Sequence, residues 1–174
     1  IDRDIDHLME RTKNRPLVTG RVSPRNALIF AVTLEVLAFV VLAASSNVLA
    51  GALAISATLF YVFVYSLWLK RTSRQNIVIG GAAGAAPVLV GWAAVTNNVS
   101  WSAVVLFLVI FLWTPPHFWA LAIRHVDEYR AASVPMLPVV ETLARTVRTM
   151  GIYAIAVALA SFALIPLNDM GVIY

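Results

Sequence analysis

NALIFAVTLEVLAFVVLAAS, residues 26–45, is twenty residues long and holds a single charge, Glu35. About 20 apolar residues suffice for a helix to cross a hydrocarbon core of roughly 30 Å. The stretch lacks the polar face, recurring every 3.6 residues, that a helix lying on a water-soluble core would show. Four further stretches share its character, at 49–68, 77–95, 101–123 and 149–167, and none of them holds Asp, Glu, Lys or Arg. The pattern predicts an all-α, polytopic transmembrane helical bundle with five spans, in one domain over 1–174.

Composition agrees. Of 174 residues, 60% are hydrophobic and 13% charged, whereas soluble domains carry about 25% charged residues. Disordered chains are charge-rich and poor in apolar residues, so that class is excluded too. The absence of cysteine excludes disulfides, thiolate metal sites and a cysteine nucleophile. The chain begins at Ile1 rather than Met, and we expect it to be a piece of a longer protein.

The net charge of +4 is not spread evenly. Segment 1–25 holds Arg3, Arg11, Lys13, Arg15, Arg21 and Arg25. Segment 69–76 holds Lys70, Arg71 and Arg74, and segment 124–148 holds Arg124, Arg130, Arg145 and Arg148. The links 46–48 and 96–100 and the tail 168–174 hold no Lys or Arg. All thirteen cations therefore fall on one side of the predicted bundle. By the positive-inside rule that side is cytoplasmic, or the matrix in an organelle. The basic balance is explained by topology and does not call for nucleic acid as a partner.

Two of these segments are too long to be turns, since helix–helix links usually run 2–8 residues. They also hold seven of the nine acids: Asp2, Asp4, Asp6, Glu10, Asp127, Glu128 and Glu141. If residues 2–12 are helical, Asp2, Asp6 and Glu10 stand at i, i+4 and i+8 on one face. Like charges at that spacing repel unless a cation sits among them. Mg²⁺ suits the place, because it is commonly held by one or two carboxylates together with substrate phosphates. Arg11, Lys13, Arg15 and Arg21 follow at once. Guanidinium forks match phosphate oxygens, and lysine adds a point charge. The order of acids then cations describes a metal–diphosphate cradle. The same charges also suit a solvated juxtamembrane loop. Gly20 reads as a turn, and Ser23-Pro24 as a helix cap with proline in the first turn.

Asp2-x-x-x-Asp6, followed by Arg11-Thr12-x-x-Arg15-Pro16-Leu17 and Gly20, resembles the first conserved loop of the UbiA superfamily of intramembrane prenyltransferases. The resemblance implies that Asp2 and Asp6 hold Mg²⁺ on a prenyl diphosphate, and that Arg11, Lys13 and Arg15 contact the diphosphate, with Arg21 as a further substrate-binding cation. Asp4 points about 200° from Asp2 on a helix of 3.6 residues per turn and is not expected to be a ligand. The family's motif usually opens with an asparagine, which would lie four residues before Asp2, outside this chain. Nine spans are expected in a full-length member.

The fourth span contains Trp113-Thr-Pro-Pro-His117-Phe-Trp119. Two consecutive prolines remove two backbone donors, so a kink is expected, freeing the carbonyls of Phe111 and Leu112. His117 lies six residues from the span's end, roughly 9 Å deep at 1.5 Å per residue. An ionisable group at that depth is a functional hypothesis by default, although a histidine bonding a kinked backbone fits as well. Trp113, Phe118 and Trp119 suit either the wall of a substrate cavity or ordinary packing. Glu35 is a further charge inside a span, with no role assigned. His7 and His125 are expected to be solvated.

Thr114-Pro-Pro-His-Phe-Trp119, with Asp127-Glu-Tyr129, Val134-Pro-Met-Leu-Pro138 and the run Gln75–Pro87, is similar to the branch of the superfamily that farnesylates protoheme. That branch implies farnesyl diphosphate and heme b as substrates, with heme O and pyrophosphate as products. It implies a lipid bilayer as the surroundings, the bacterial plasma membrane rather than the mitochondrial inner membrane, and heme A synthase or oxidase-assembly proteins as partners. His117 becomes a catalytic, heme-facing residue beside Asp2, Asp6 and Lys13, and Trp113, Glu128 and Tyr129 join the substrate-binding residues. Two departures stand out. Ala131 and Ala132 occupy the places four residues after Asp127 and Glu128, so a second full Asp-x-x-x-Asp pair is absent. Asp127-Glu128 replaces the Lys-Asp frequent before the tyrosine, which makes Glu128 the acidic carry-over. Two other classes remain open at this point: a superfamily enzyme acting on an aromatic quinone precursor, and a membrane transporter with an acidic gate.

Overall fold

The computed structural model of the chain describes residues 1–167; the tail 168–174, expected opposite the basic loops, lies outside the described residues. Five helices are long and apolar enough to cross a membrane: α2 (Pro24–Ser45), α3 (Val48–Thr72), α4 (Asn76–Thr96), α5 (Trp101–Arg124) and α8 (Leu143–Leu167). They are preceded by the short α1 (Arg3–Leu8), and α5 is joined to α8 through α6 (Val126–Ala131) and α7 (Leu137–Val140). No strand occurs among the described residues.

Polar residues between the apolar runs set the helix starts. A helix leaves its first N–H groups unpaired, and side-chain oxygens accept from them. Ser23 accepts from Asn26 N–H ahead of Pro24, Ser100 from Ala103 N–H, and Thr142 from Arg145 N–H. The Thr142 cap starts α8 at Leu143, so Arg145 and Arg148 project from its first turns. Asn47 acts twice. Its carbonyl caps α3 at Ala50 N–H, 2.9 Å, and its amide donates to the Ala93 carbonyl at 2.7 Å, tying the start of α3 to the end of α4. Gly20 adopts φ +78° in the turn before α2, a conformation glycine takes without strain. α5 carries Pro115 and Pro116 without a break; Thr114 donates its hydroxyl to the Ile110 carbonyl at 2.8 Å just ahead of them.

The spans pack mainly as sequence neighbours: α2 on α3, α3 on α4, α4 on α5, α5 on α8. Short links make these neighbours antiparallel. Membrane helices lack a hydrophobic drive toward one another and rely on close backbone approach at small residues. Gly51 of α3 is one such place: a Cβ there would lie 2.8 Å from the Phe39 ring of α2. Gly81 of α4 is another, where a Cβ would lie 3.2 Å from Thr114 of α5. Residues Phe60–Leu69 of α3 are wound as a π-helix, and Lys70 N–H reaches back to the Tyr65 carbonyl. Such winding is uncommon and concentrates at functional sites.

The loops at the basic end of the bundle are folded. Ile5, Met9, Ile77, Ala122, Ala132, Val134 and Met136 form one buried cluster, with Tyr65, Tyr129 and Val139 packed on it. This cluster corrects the expectation of a helix over 2–12. α1 stops at Leu8, and Met9 turns extended at φ −107°, ψ 126°. Burying Met9 requires that turn, which returns the chain over the end of α1. Thr12, itself buried, donates its hydroxyl to the Asp6 carbonyl at 2.9 Å. Glu10 therefore leaves the Asp2–Asp6 face and pairs with Lys13.

Gly51→Val is expected to destabilise the protein by about 1–3 kcal/mol through overpacking against Phe39. Thermal unfolding of the full-length protein in detergent measures it. Gly151→Val, where the added atoms meet open space, is expected to leave the midpoint in place.

Candidate functional site

α1 and the residue before it bring three aspartates against cations from two directions. Lys70 at the end of α3 places Nζ 2.6 Å from Asp2 Oδ2. Arg71 forks onto Asp4 at 2.6 and 2.9 Å, and its Nη2 is 3.9 Å from Asp2 Oδ1. Arg15, in the turn after α1, spans both oxygens of Asp6 at 3.0 and 2.9 Å. The Arg71 hydrogen bonds hold the Asp4 carboxyl well below the usual carboxylate range, against a smaller opposing effect of burial. The repulsion read from the acid spacing is thus relieved by the protein's own cations. One acceptor is left over: Asp2 Oδ1 is buried and receives no hydrogen bond.

That orphaned oxygen tests the fit of a divalent metal. A buried acceptor without a donor is a costly arrangement, and a hard cation that prefers oxygen relieves it. Among the described residues, no group of three or more His, Asp or Glu side chains is placed to hold a metal. The donor set therefore fits a cation held by few carboxylates and completed by phosphate, as Mg²⁺ is, and does not fit an all-protein cage.

The second polar segment meets the first. Glu128 Oε2 accepts from Arg11 N–H at 3.5 Å, and Oε1 lies 3.0 Å from His125 Nδ1. His125, expected to be solvated, is thereby engaged. Tyr129 packs on the Ile5–Met9 cluster. Glu141 accepts from Arg74 at 2.9 Å and Arg145 at 3.0 Å, fastening the α3–α4 link to α8. Asp127 is exposed and pairs with Arg130. Arg21 is exposed beyond this network.

Beside the charged layer lies an apolar cavity of about 700 Å³ between α3, α4 and α5. Tyr65 and Ile77 belong both to its lining and to the loop cluster. They form the boundary where charge gives way to hydrocarbon. Asp2 and Tyr129 lie within electrostatic reach of Tyr65. Thr58, Tyr61, Gly84, Thr114 and Phe118 line the space beyond.

His117 and Trp113 are not in that lining. One turn apart on α5, they stack at 4.3 Å between centroids and 17° between planes, on an exposed face. Phe118, whose edge meets His117 at 5.7 Å, is the next residue and turns into the cavity. Trp119 is buried against Tyr153. Glu35 is half-buried on α2.

Sequence reasoning missed Lys70, Arg71 and the wall residues Tyr61, Tyr65 and Gly84. Lys70-Arg71 was read for topology alone. The signal was the excess of acids in α1, which needs cations from elsewhere. For the wall it was the run Gly80-Gly-Ala-Ala-Gly-Ala-Ala86, a helix face without bulk.

The UbiA prenyltransferase family model matches residues 1–174. Three relatives named protoheme IX farnesyltransferase come from Trichormus variabilis, Gloeobacter violaceus and Clavibacter michiganensis. They are 55%, 58% and 53% identical over 174 aligned residues. The alignments cover 99%, 100% and 100% of this chain and 55%, 57% and 57% of the relatives. The chain thus spans about half the length of the curated relatives it matches. No solved structure matches. The acids facing cations at the rim of an apolar cavity, and a family match over every residue, lead to one assignment: this is a multi-pass membrane protein of the UbiA prenyltransferase family.

Proposed function

We propose that the protein containing this chain transfers a farnesyl group from farnesyl diphosphate to a vinyl group of heme b, with addition of water, giving heme O and pyrophosphate. The observation that carries this reading is the junction at Tyr65 and Ile77. On one side stand carboxylates and cations suited to a diphosphate, and on the other an apolar cavity suited to its hydrocarbon tail. The relatives' printed name supplies the acceptor.

Asp2 and Asp6 would hold Mg²⁺, which, when bound, withdraws charge from the departing pyrophosphate. Asp2 pairs with Lys70, and Asp6 with Arg15. A diphosphate gives the cations a better partner, so Lys70, Arg71 and Arg15 turn to its oxygens. Cations fixed where charge develops act as preorganised stabilisation. The bond between C1 of the farnesyl group and oxygen breaks, and its electron pair leaves with pyrophosphate. C1 bonds to the terminal vinyl carbon. Water adds to the inner vinyl carbon and gives up a proton, leaving the hydroxyethylfarnesyl side chain. The apolar walls shield the allylic cation from water until the C–C bond forms. His117, stacked on Trp113, would face the heme, where its imidazole would bind the iron or accept the proton from water. The basic face of the bundle is cytoplasmic in this reading.

Asp2→Asn and Asp6→Asn are each expected to lower pyrophosphate release and heme O formation about 100-fold or more, in line with loss of one charge-stabilising group. The assay uses the full-length protein in detergent with heme b, farnesyl diphosphate and Mg²⁺. Near-parental turnover in both variants argues against the cradle. A fractionation control checks that membrane insertion is intact.

His117→Ala is expected to weaken heme binding about tenfold or more while leaving farnesyl diphosphate affinity within about twofold, a difference of roughly 1.4 kcal/mol or more. Absorbance titration measures it. Loss of an iron ligand shifts the heme band, whereas loss of a base slows turnover with the band unchanged. Equal heme affinity and an unchanged rate remove His117 from the site.

A further inference from the structure

The cavity between α3, α4 and α5 is long, and one wall position divides its length. The α4 wall presents Ile77, Gly80, Gly84, Pro87 and Gly91, a spacing of three, four, three and four residues that keeps them on one face. The glycines differ in what stands before them. At Gly80 an added Cβ would run into the Tyr65 ring, so that place is already filled. At Gly84 and Gly91 nothing lies within 4 Å of an added Cβ, and both glycines line the cavity.

Helix rise converts these positions into depth. At about 1.5 Å per residue, Gly84 lies about 10 Å below the rim at Ile77 and Gly91 about 21 Å below it. Prenyl chains have their own rulers. With carbon–carbon bonds of ~1.5 Å, an extended chain advances about 1.25 Å per bond. The eight-carbon main chain of a geranyl group then reaches about 9 Å, the twelve of farnesyl about 14 Å, and the sixteen of geranylgeranyl about 19 Å, each counted over its bonds of ~1.5 Å. A geranyl tail ends above Gly84. A farnesyl tail passes it and ends above Gly91. A geranylgeranyl tail ends at the level of Gly91.

We infer that Gly84 determines the length of prenyl donor this protein accepts: the missing side chain at that depth is the opening through which the third isoprene unit of a farnesyl chain passes. The assignment rests on the prenyl-transfer reading above and adds to it the residue that sets donor length. Thr114 and Phe118 of α5 and Thr58 and Tyr61 of α3 bound the same space from the facing walls. A leucine at 84 would therefore project into the cavity between three helices and close it below the second isoprene unit. The backbone needs no change, because Gly84 has no positive φ to keep and leucine favours a helix more than glycine does.

The experiment compares geranyl, farnesyl and geranylgeranyl diphosphates in the full-length protein, with heme b and Mg²⁺. It compares the parent with Gly84→Ala, Gly84→Leu and Gly91→Leu, and with Gly151→Leu as the control for helix propensity at a site away from the cavity. For Gly84→Leu, kcat/KM with farnesyl diphosphate is expected to fall about 30-fold or more, a discrimination within the range a shape-selective hydrophobic pocket reaches. With geranyl diphosphate it is expected to stay within about threefold of the parent, so the ratio of the two donors shifts about tenfold or more toward geranyl. Gly84→Ala falls between, and Gly91→Leu lowers the geranylgeranyl donor more than the farnesyl donor. The KM for heme b is expected to hold throughout.

An equal loss with all donors in Gly84→Leu overturns the assignment, as does no change with any. A rise in the KM for heme at constant donor KM also overturns it, because the cavity would then seat the acceptor. If the parent itself releases no pyrophosphate from any donor, the prenyl-transfer reading fails, and that result is distinct from a failure of Gly84 to discriminate.

Discussion

The burial of Ile5 and Met9 is the contact on which the rest of the site depends. α1 has six helical residues, far too few to be stable alone, since isolated helices below about 12–15 residues are marginal in water. It is held because two side chains one turn apart drop into a cluster built from Ile77, Ala122, Ala132, Val134 and Met136. Those residues come from the start of α4, the end of α5 and the segment after α6. A single small cluster therefore fixes the position of α1 relative to two spans and the second polar loop. Burying two such side chains is worth about 3–6 kcal/mol by area, enough to order a short helix and the turn behind it. The aspartates lie on other faces of α1 and are carried to Lys70 and Arg71 as a consequence. Without the apolar contact, the ion pairs alone would not place the helix, because exposed pairs contribute about 0–1 kcal/mol each.

The ion pairs differ in how far water reaches them. Asp4 is 64% exposed and Asp2 is 21% exposed at the side chain. The Asp4–Arg71 fork is therefore largely a solvated contact that orients Arg71. Asp2–Lys70 is mostly shielded from water, and Asp2 also carries the acceptor that no donor reaches. Leaving such an acceptor buried costs about 1–3 kcal/mol, a cost that Asp4 does not carry, since both of its oxygens are bonded to Arg71. Asp6 is the most shielded of the three, with its carboxylate 13% exposed, although its partner Arg15 is 52% exposed. Arg15 is free to move through solvent, but the shielded Asp6 carboxylate needs another cation in its place if Arg15 leaves.

Much of the fold was legible because the bilayer imposes a length and a period that few sequences meet by accident. Five apolar runs became five helices, and the polar punctuation at Ser23, Ser100 and Thr142 became their caps. What the sequence hid was long-range. Nothing local in Asp2 names Lys70, which is 68 residues away. The helical period over 2–12 put Glu10 on the face of Asp2 and Asp6, but the demand to bury Met9 overrode helix propensity and turned Glu10 toward Lys13. The type and spacing of Asp2 and Asp6 singled them out as charges needing a counter-charge, and the cations that neutralise them in the fold were not legible. His117 was legible as an ionisable group at depth, whereas its stacking on an exposed face beside the cavity wall depended on α5 continuing through two prolines.

The division between rim and interior follows from what each surrounding tolerates. An ionised side chain at the centre of a span costs about 2.5–3.5 kcal/mol on insertion scales. The described acids and cations, Glu35 apart, accordingly gather at the helix ends and in the loops between them. Chemistry that needs both a diphosphate and a hydrocarbon tail must then straddle that boundary, with the head at the ends of the helices and the tail along their length. Tyr65 suits the boundary because a tyrosine has an apolar body and a polar tip, and its ring fills the space left by Gly80 on the neighbouring helix. The π-winding of Phe60–Leu69 changes the face that each residue of this segment presents relative to a regular helix. Tyr65 reaches the Gly80 wall from within that segment, and Lys70, the residue that follows it, reaches Asp2. The irregular turn of α3 thus serves hydrocarbon and charge together, which a uniform 3.6-residue period from Val48 onward would not align in the same way.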